Sequence, residues 1–160
     1  MRTSSKTLLA LLAAAAFASA NTGTAFAAGG SNDSTPQQFS ASDFELGRAA
    51  VEKKDWKTAI NHLDKALAKD RNNADIQSYL GFAHRNNGNW DEGIKFYRSA
   101  LAINPNHRGA NEYLGQAYLN RGNVALAEEQ LAKLDTICGK NCKEYQMLAT
   151  SVADYKKNPK

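Results

Sequence analysis

Apolar residues along this chain recur at helical rather than alternating spacing. Ile76, Leu80 and Ala83 fall on one helical face, and Ile94, Tyr97, Ala100 and Leu101 fall on one face of the segment that follows. Between them stands Gly88-Asn89. Gly88 suits the left-handed dihedrals at which a helix often ends. Asn89 can cap the next helix, and Glu92 three residues later can close a capping box. The same punctuation returns as Gly122-Asn123 and, earlier, as Lys54-Asp55. There the cap is kept and the Gly is lost, which predicts a helix end costlier by up to about 1 kcal/mol. Ser42 and Glu45 predict a further capping box where the first helix starts.

The helices repeat. Leu-Gly stands at Leu46-Gly47, Leu80-Gly81 and Leu114-Gly115, spaced 34 residues apart. The same step relates Ala59, Gly93 and Ala127; Leu63, Tyr97 and Leu131; and Ala66, Ala100 and Leu134. Many positions repeating at one period mark a stacked repeat architecture. The units are Ser40–Asn73, Ala74–His107 and Arg108–Asn141 (40–73, 74–107 and 108–141), each two helices and a tight turn. The three Leu-Gly glycines are expected to admit a close helix–helix approach, with Ala59, Gly93 and Ala127 on the facing side. A larger residue at Gly81 would overpack that contact, at a typical cost of about 1–3 kcal/mol. Trp56 and Trp90 open the second helix of their units and are read as packing residues that cover the turn.

These residues resemble the tetratricopeptide repeat family. Its pattern runs Leu-Gly, Tyr, Ala, an aromatic or Leu, Ala and Pro. The second unit follows it with Leu80-Gly81, Gly93 in the Ala slot, Tyr97, Ala100 and Pro105. The third follows with Leu114-Gly115, Tyr118, Ala127 and Leu131, and departs with Leu134 for Ala and Gly139 for Pro. The first follows with Leu46-Gly47, Ala59, Leu63 and Ala66, and has Arg71 for Pro. The resemblance covers Ser40 to Asn141. It implies an all-α, right-handed solenoid of three helix-turn-helix repeats. The first helix of each repeat would line a concave groove.

By position, that groove takes Phe44, Arg48 and Glu52, then Ser78, Phe82, Arg85 and Asn86, then Glu112, Gln116, Leu119 and Asn120. Amides suit an extended peptide backbone, Arg a carboxylate or phosphate, and Phe82 an apolar anchor. Some family members clamp a C-terminal carboxylate with Lys and Asn at fixed positions. The corresponding slots here hold Phe44 and Arg48, then Phe82, then Gly109 and Tyr113, so that clamp is not met.

A repeat stack needs a terminal helix with one polar face. Residues 142–156 are expected to supply it. Tyr145, Leu148, Ala149 and Val152 form its apolar stripe, and Lys143, Glu144, Gln146, Thr150, Ser151 and Asp154 stay outside. Lys143 and Gln146 would extend the groove. Just before this helix lie the only two cysteines, Cys138 and Cys142. A straight helix holds such a pair badly for bridging, but Gly139-Lys140-Asn141 reads as a turn that brings them together. A disulfide stapling the cap to the third repeat is the expected reading in an oxidising compartment. A redox pair and a metal site are the alternatives, although the spacing is not CxxC.

The compartment is inferred from the N-terminus. Residues 1–27 read as a secretory signal peptide: Arg2 and Lys6, an apolar stretch from Leu8 to Ala18, and A-x-A sites ending at Ala20 and Ala27. Cleavage after Ala27 is expected, with Ala20 as the alternative. Residues 28–39 read as a Gly/Ser/Pro-containing flexible leader. This predicts a periplasmic or secreted protein with no membrane span after the signal is removed. The formal charge of +4 includes Arg2 and Lys6, so no basic bias argues for nucleic acid. Lys53, Lys54 and Lys57 read as a solvated turn.

No motif for phosphate cradling, HExxH or GxSxG occurs. His62, His84 and His107 occupy unrelated repeat positions, so neither a metal nor any other cofactor is expected. His84 fills the family's Tyr slot and should be packed or half-buried. His107, in an inter-repeat loop, should be exposed. The sequence therefore predicts a non-catalytic protein-interaction scaffold with a peptide or protein partner. The competing readings are a redox accessory acting through Cys138 and Cys142, or a binder of an anionic envelope glycan or lipid.

Overall fold

Seven α-helices and no strand make up residues 41–158, the part of the chain that this computed structural model describes. They are α1 Asp43–Glu52, α2 Trp56–Lys69, α3 Ala74–Asn86, α4 Trp90–Ile103, α5 Arg108–Asn120, α6 Val124–Cys138 and α7 Lys143–Lys157. The expected signal peptide and leader lie outside the described residues.

The turns inside the pairs α1–α2, α3–α4 and α5–α6 are built alike. Asp55, Asn89 and Asn123 donate their backbone N–H groups to the carbonyls of Ala50, His84 and Tyr118, at 2.9, 2.9 and 2.8 Å. The residue before each has positive φ: Lys54 at 58°, Gly88 at 92° and Gly122 at 74°. This is the bonding of a Schellman motif, which needs a left-handed residue at that position. Glycine takes it freely, whereas Lys54 takes it against its Cβ.

Side-chain caps follow two of the three turns. Asp55 accepts from the Thr58 N–H at 3.2 Å and Asn123 from the Leu126 N–H at 3.3 Å. The expected Asn89–Glu92 capping box does not form. Asn89 makes no side-chain cap bond, and the Glu92 carboxylate takes the Lys95 ammonium at 2.8 Å instead. The Ser42–Glu45 box is complete. The α5 N-cap is His107, whose Nδ1 accepts from the Ala110 N–H at 3.0 Å.

Each first-helix glycine sits under a large side chain. A Cβ on Gly81 would lie 2.6 Å from the Tyr97 ring and 3.0 Å from the Gly93 carbonyl oxygen. One on Gly47 would lie 2.7 Å from Leu63. Gly93 therefore faces Gly81 as expected, but the cover over Gly47 is Leu63 rather than Ala59. In the third pair the cover changes element. The three atoms nearest a Cβ on Gly115 all belong to Leu148 of α7, the closest at 2.5 Å, rather than to Ala127. To accommodate this, α6 buries Gln130 and Leu134 and leaves Leu131 only half-buried.

Two clusters form the core. One gathers Ala50, Leu63, Ile76 and Leu80 between the first two pairs, and the other gathers Tyr97, Leu114, Leu134, Leu148 and Val152. Successive first helices touch, α1 with α3 and α3 with α5, whereas α2 and α4, or α4 and α6, do not. The array therefore curves with α1, α3 and α5 on its inner side. No helix among the described residues is long and apolar enough to cross a membrane.

Lys54→Gly should relieve the left-handed strain at the first turn. We expect a gain of up to about 1 kcal/mol, read as a higher urea midpoint with unchanged slope. An unchanged or lower midpoint would show that the turn carries no strain.

Candidate partner-binding groove

The inner helices carry a floor of aromatic rings. Phe44 of α1 meets Tyr79 of α3 edge-on at 5.6 Å. Phe82 of α3 touches Trp56 at 6.0 Å and Tyr113 of α5 at 5.0 Å, and Tyr113 continues to the buried Tyr97 at 5.7 Å. Two guanidinium groups lie against these rings. Arg48 stands 5.9 Å from the Phe44 ring and 5.7 Å from the Tyr79 ring. Arg85 stands 5.2, 5.6 and 5.9 Å from the rings of Phe82, Tyr113 and Trp90. Each such contact contributes roughly 0.5–1 kcal/mol at an exposed site and holds the side chain in place.

Two depressions open on this face. The first, about 370 Å³, is lined by Arg48, Val51, Glu52, Asp75, Ser78, Tyr79, Phe82, His107, Gly109 and Tyr113. The second, about 570 Å³, is lined by Arg85, Asn86, Trp90, Gln116, Leu119, Asn120, Ser151, Asp154, Tyr155 and Asn158. The expected groove residues are thus shared out: Arg48, Ser78 and Phe82 at the first, and Arg85, Asn86, Gln116 and Asn120 at the second.

Glu112 belongs to neither lining. It is only 3% exposed and lies beneath the floor. It stands one turn before Gly115 and Gln116, on the side of α5 that packs against α7. Burial pushes its carboxyl above the usual carboxylate range, against the hydrogen bond from Gln116 and the nearby charge of Arg85. The Gln116 Nε2 donates to Glu112 at 3.2 Å and to the Ser151 hydroxyl at 2.7 Å, which ties α5 to α7.

Other residues line the groove unannounced. Trp56 touches the Phe82 ring, and Trp90 lies against Arg85 and lines the second depression, beyond the turn-covering role expected of them. Ser151, Asp154 and Tyr155 of α7 and its C-cap Asn158 face the second depression, in place of Lys143 and Gln146. Leu148 and Val152 point into the core, so the stripe beside them at helical spacing meets the groove. That stripe was readable once Leu148 was known to cover Gly115.

His107 is half-buried rather than exposed, its side chain 15% accessible. Its Nδ1 accepts the Ala110 N–H, which places the ring proton on Nε2, 3.0 Å from an Asp75 carboxylate oxygen. These bonds occupy both ring nitrogens. His84 is half-buried and stacks on Phe96 at 5.2 Å. The sulfurs of Cys138 and Cys142 lie 2.09 Å apart, at bonding distance, across the turn opened by Gly139. Glu144 stands close to both, but sulfurs bonded to each other offer no thiolate to a metal.

Two models of the tetratricopeptide repeat match the chain, over residues 44–108 and 85–152. No curated protein matches it. Among solved structures, the TPR domain of Arabidopsis OM64 is similar at 17% identity and a TM-score of 0.64, covering 71% of this chain and 93% of that one. The second TPR domain of human RPAP3, in complex with an HSP70 peptide, is 16% identical with a TM-score of 0.63, covering 70% and 92%. The Yersinia enterocolitica type III secretion chaperone SycD, in complex with a peptide of the translocator YopD, is 17% identical with a TM-score of 0.62, covering 72% and 87%. At these identities the likeness is one of fold, an all-α solenoid of paired helices.

Glu112→Gln isolates the buried carboxyl. A group whose folded pKa is raised stabilises the fold fully below its unfolded pKa, and that contribution is lost as pH rises through the folded value. The substitution should therefore stabilise the protein at pH 7 and change little near pH 4, where Glu112 is protonated in both states. Urea melts at the two pH values check this, and an equal effect at both would contradict it.

Proposed function

The chain belongs to the tetratricopeptide repeat family, and from that premise we propose that it is a non-catalytic scaffold of the periplasm. It holds a peptide or an extended segment of a partner protein against α1, α3 and α5. One observation carries this reading: rings on all three inner helices, Phe44 against Tyr79 and Phe82 against Tyr113, with Arg48 laid on the first pair and Arg85 on the second. Rings give an apolar anchor, the guanidinium groups give directional donors, and amides at Asn86, Gln116 and Asn120 match a peptide backbone. Peptides in complex with the human and Yersinia relatives support the mode of binding. The signal-like N-terminus supports the compartment.

The cysteines lie at the α6–α7 turn and line neither depression. The bridge acts as a staple. For so short a loop its loss costs about 2 kcal/mol by the chain-entropy account.

A photocrosslinker placed at Phe82 or Asn86 in cells should yield protein adducts, and one at the exposed Lys95 of α4 should not. Adducts from Lys95 alone would move the binding surface to the outer face. The Cys138→Ser/Cys142→Ser variant should keep the Phe82 adducts while melting at lower denaturant. Loss of the adducts in a folded variant would favour redox chemistry.

A further inference from the structure

Arg85 sits where the two depressions meet. It lines the second and lies against Phe82 and Tyr113, which floor the first. With its faces against three rings, its N–H edge remains the part able to bond. No carboxylate among the described residues lies within ion-pair distance of it. Glu112 feels its charge, but is buried and takes its hydrogen bond from Gln116. Arg121 differs, because it is paired with Asp91. The other acids around the two depressions are Glu52, Asp75 beside His107, and Asp154 with Lys157 at 3.9 Å.

We infer that the groove selects an internal acidic side chain of its partner, read by Arg85 and accompanied by an apolar side chain on the Phe82–Tyr113 floor. This rests on the groove reading above and specifies its occupant. An arginine already ordered by ring contacts loses little freedom when its planar fork donates to a carboxylate. The residue next to that carboxylate then meets the rings that hold the arginine. Depressions open on both sides of Arg85, so a bound segment has room to continue past it in both directions and the acid read there is internal rather than a chain end.

Fluorescein-labelled octapeptides with amidated C-termini test this. The set carries one Phe and one Glu, adjacent or one to three residues apart, with Gln and Lys in place of Glu as counterparts. At least one Glu peptide should bind about tenfold tighter than its Gln counterpart, the usual worth of a charge-assisted bond. Arg85→Gln should abolish that preference, so that Glu and Gln peptides bind alike, and Arg85→Lys should retain part of it. Circular dichroism melts establish that both variants fold. Equal binding of Glu and Gln peptides, or no binding by any member, overturns the inference, and so does a preference that appears only with free C-termini. Arg85-dependent capture on phosphatidylglycerol vesicles without peptide binding overturns it in favour of an anionic lipid. Phe82 adducts in cells would leave the groove reading standing in each of these cases.

Discussion

The contact on which the fold turns is a helix glycine pressed beneath a large side chain. At Gly81 the Tyr97 ring occupies the space a Cβ would need, and the Gly93 carbonyl closes the other side. Such a contact draws two helices together only while the residue beneath has no side chain. It fixes the spacing within a pair, and the spacing within pairs decides how the next pair stacks. The inner helices then approach one another while the outer ones diverge, and this makes a groove at all.

The third pair shows how the shape of the candidate groove follows from that contact. Its glycine is covered by Leu148 of α7, a helix that also closes the open end of the array. One leucine thus serves both tasks. Because Leu148 must enter the core beside Val152, the neighbouring stripe of α7 is turned toward the inner face. Ser151 then meets Gln116, and Asp154 and Asn158 line the second depression. The cap is a wall of the groove as well as a lid on the core, and the bridge between Cys138 and Cys142 pins the turn from which that wall departs.

Much of this was legible in the sequence because it is local. The positive φ at Gly88 and Gly122, the box at Ser42 and Glu45, and the caps at Asp55 and Asn123 depend on a few adjacent residues. The repeat period placed the inner helices, and hence Arg48, Phe82, Arg85 and Gln116. What escaped is what depends on partners far along the chain. Glu112 reads as a polar groove residue by period, yet the α5–α7 contact buries it. His107 reads as a loop residue, yet it caps α5 and reaches back to Asp75 of α3. The Asn89–Glu92 box failed for a local reason that the pattern does not rank: the Asn89 N–H already donates to His84, and the Glu92 carboxylate takes Lys95.

The same distinction bears on the surface that the candidate groove presents. A repeat supplies equivalent positions, and an undifferentiated array would present the same surface three times. Here the slot that holds Arg48 in the first unit holds Phe82 in the second, and the slot of Arg85 becomes Leu119 in the third. Each substitution places a ring or an aliphatic side chain beside a guanidinium group instead of a second charge. The rings order the guanidinium groups before any partner arrives, so less conformational freedom remains to be lost on binding. Charge repulsion between neighbouring arginines is avoided as well. Departure from the repeat, on a backbone that keeps it, turns a uniform solenoid face into one with direction, apolar toward α1 and amide-rich toward α7.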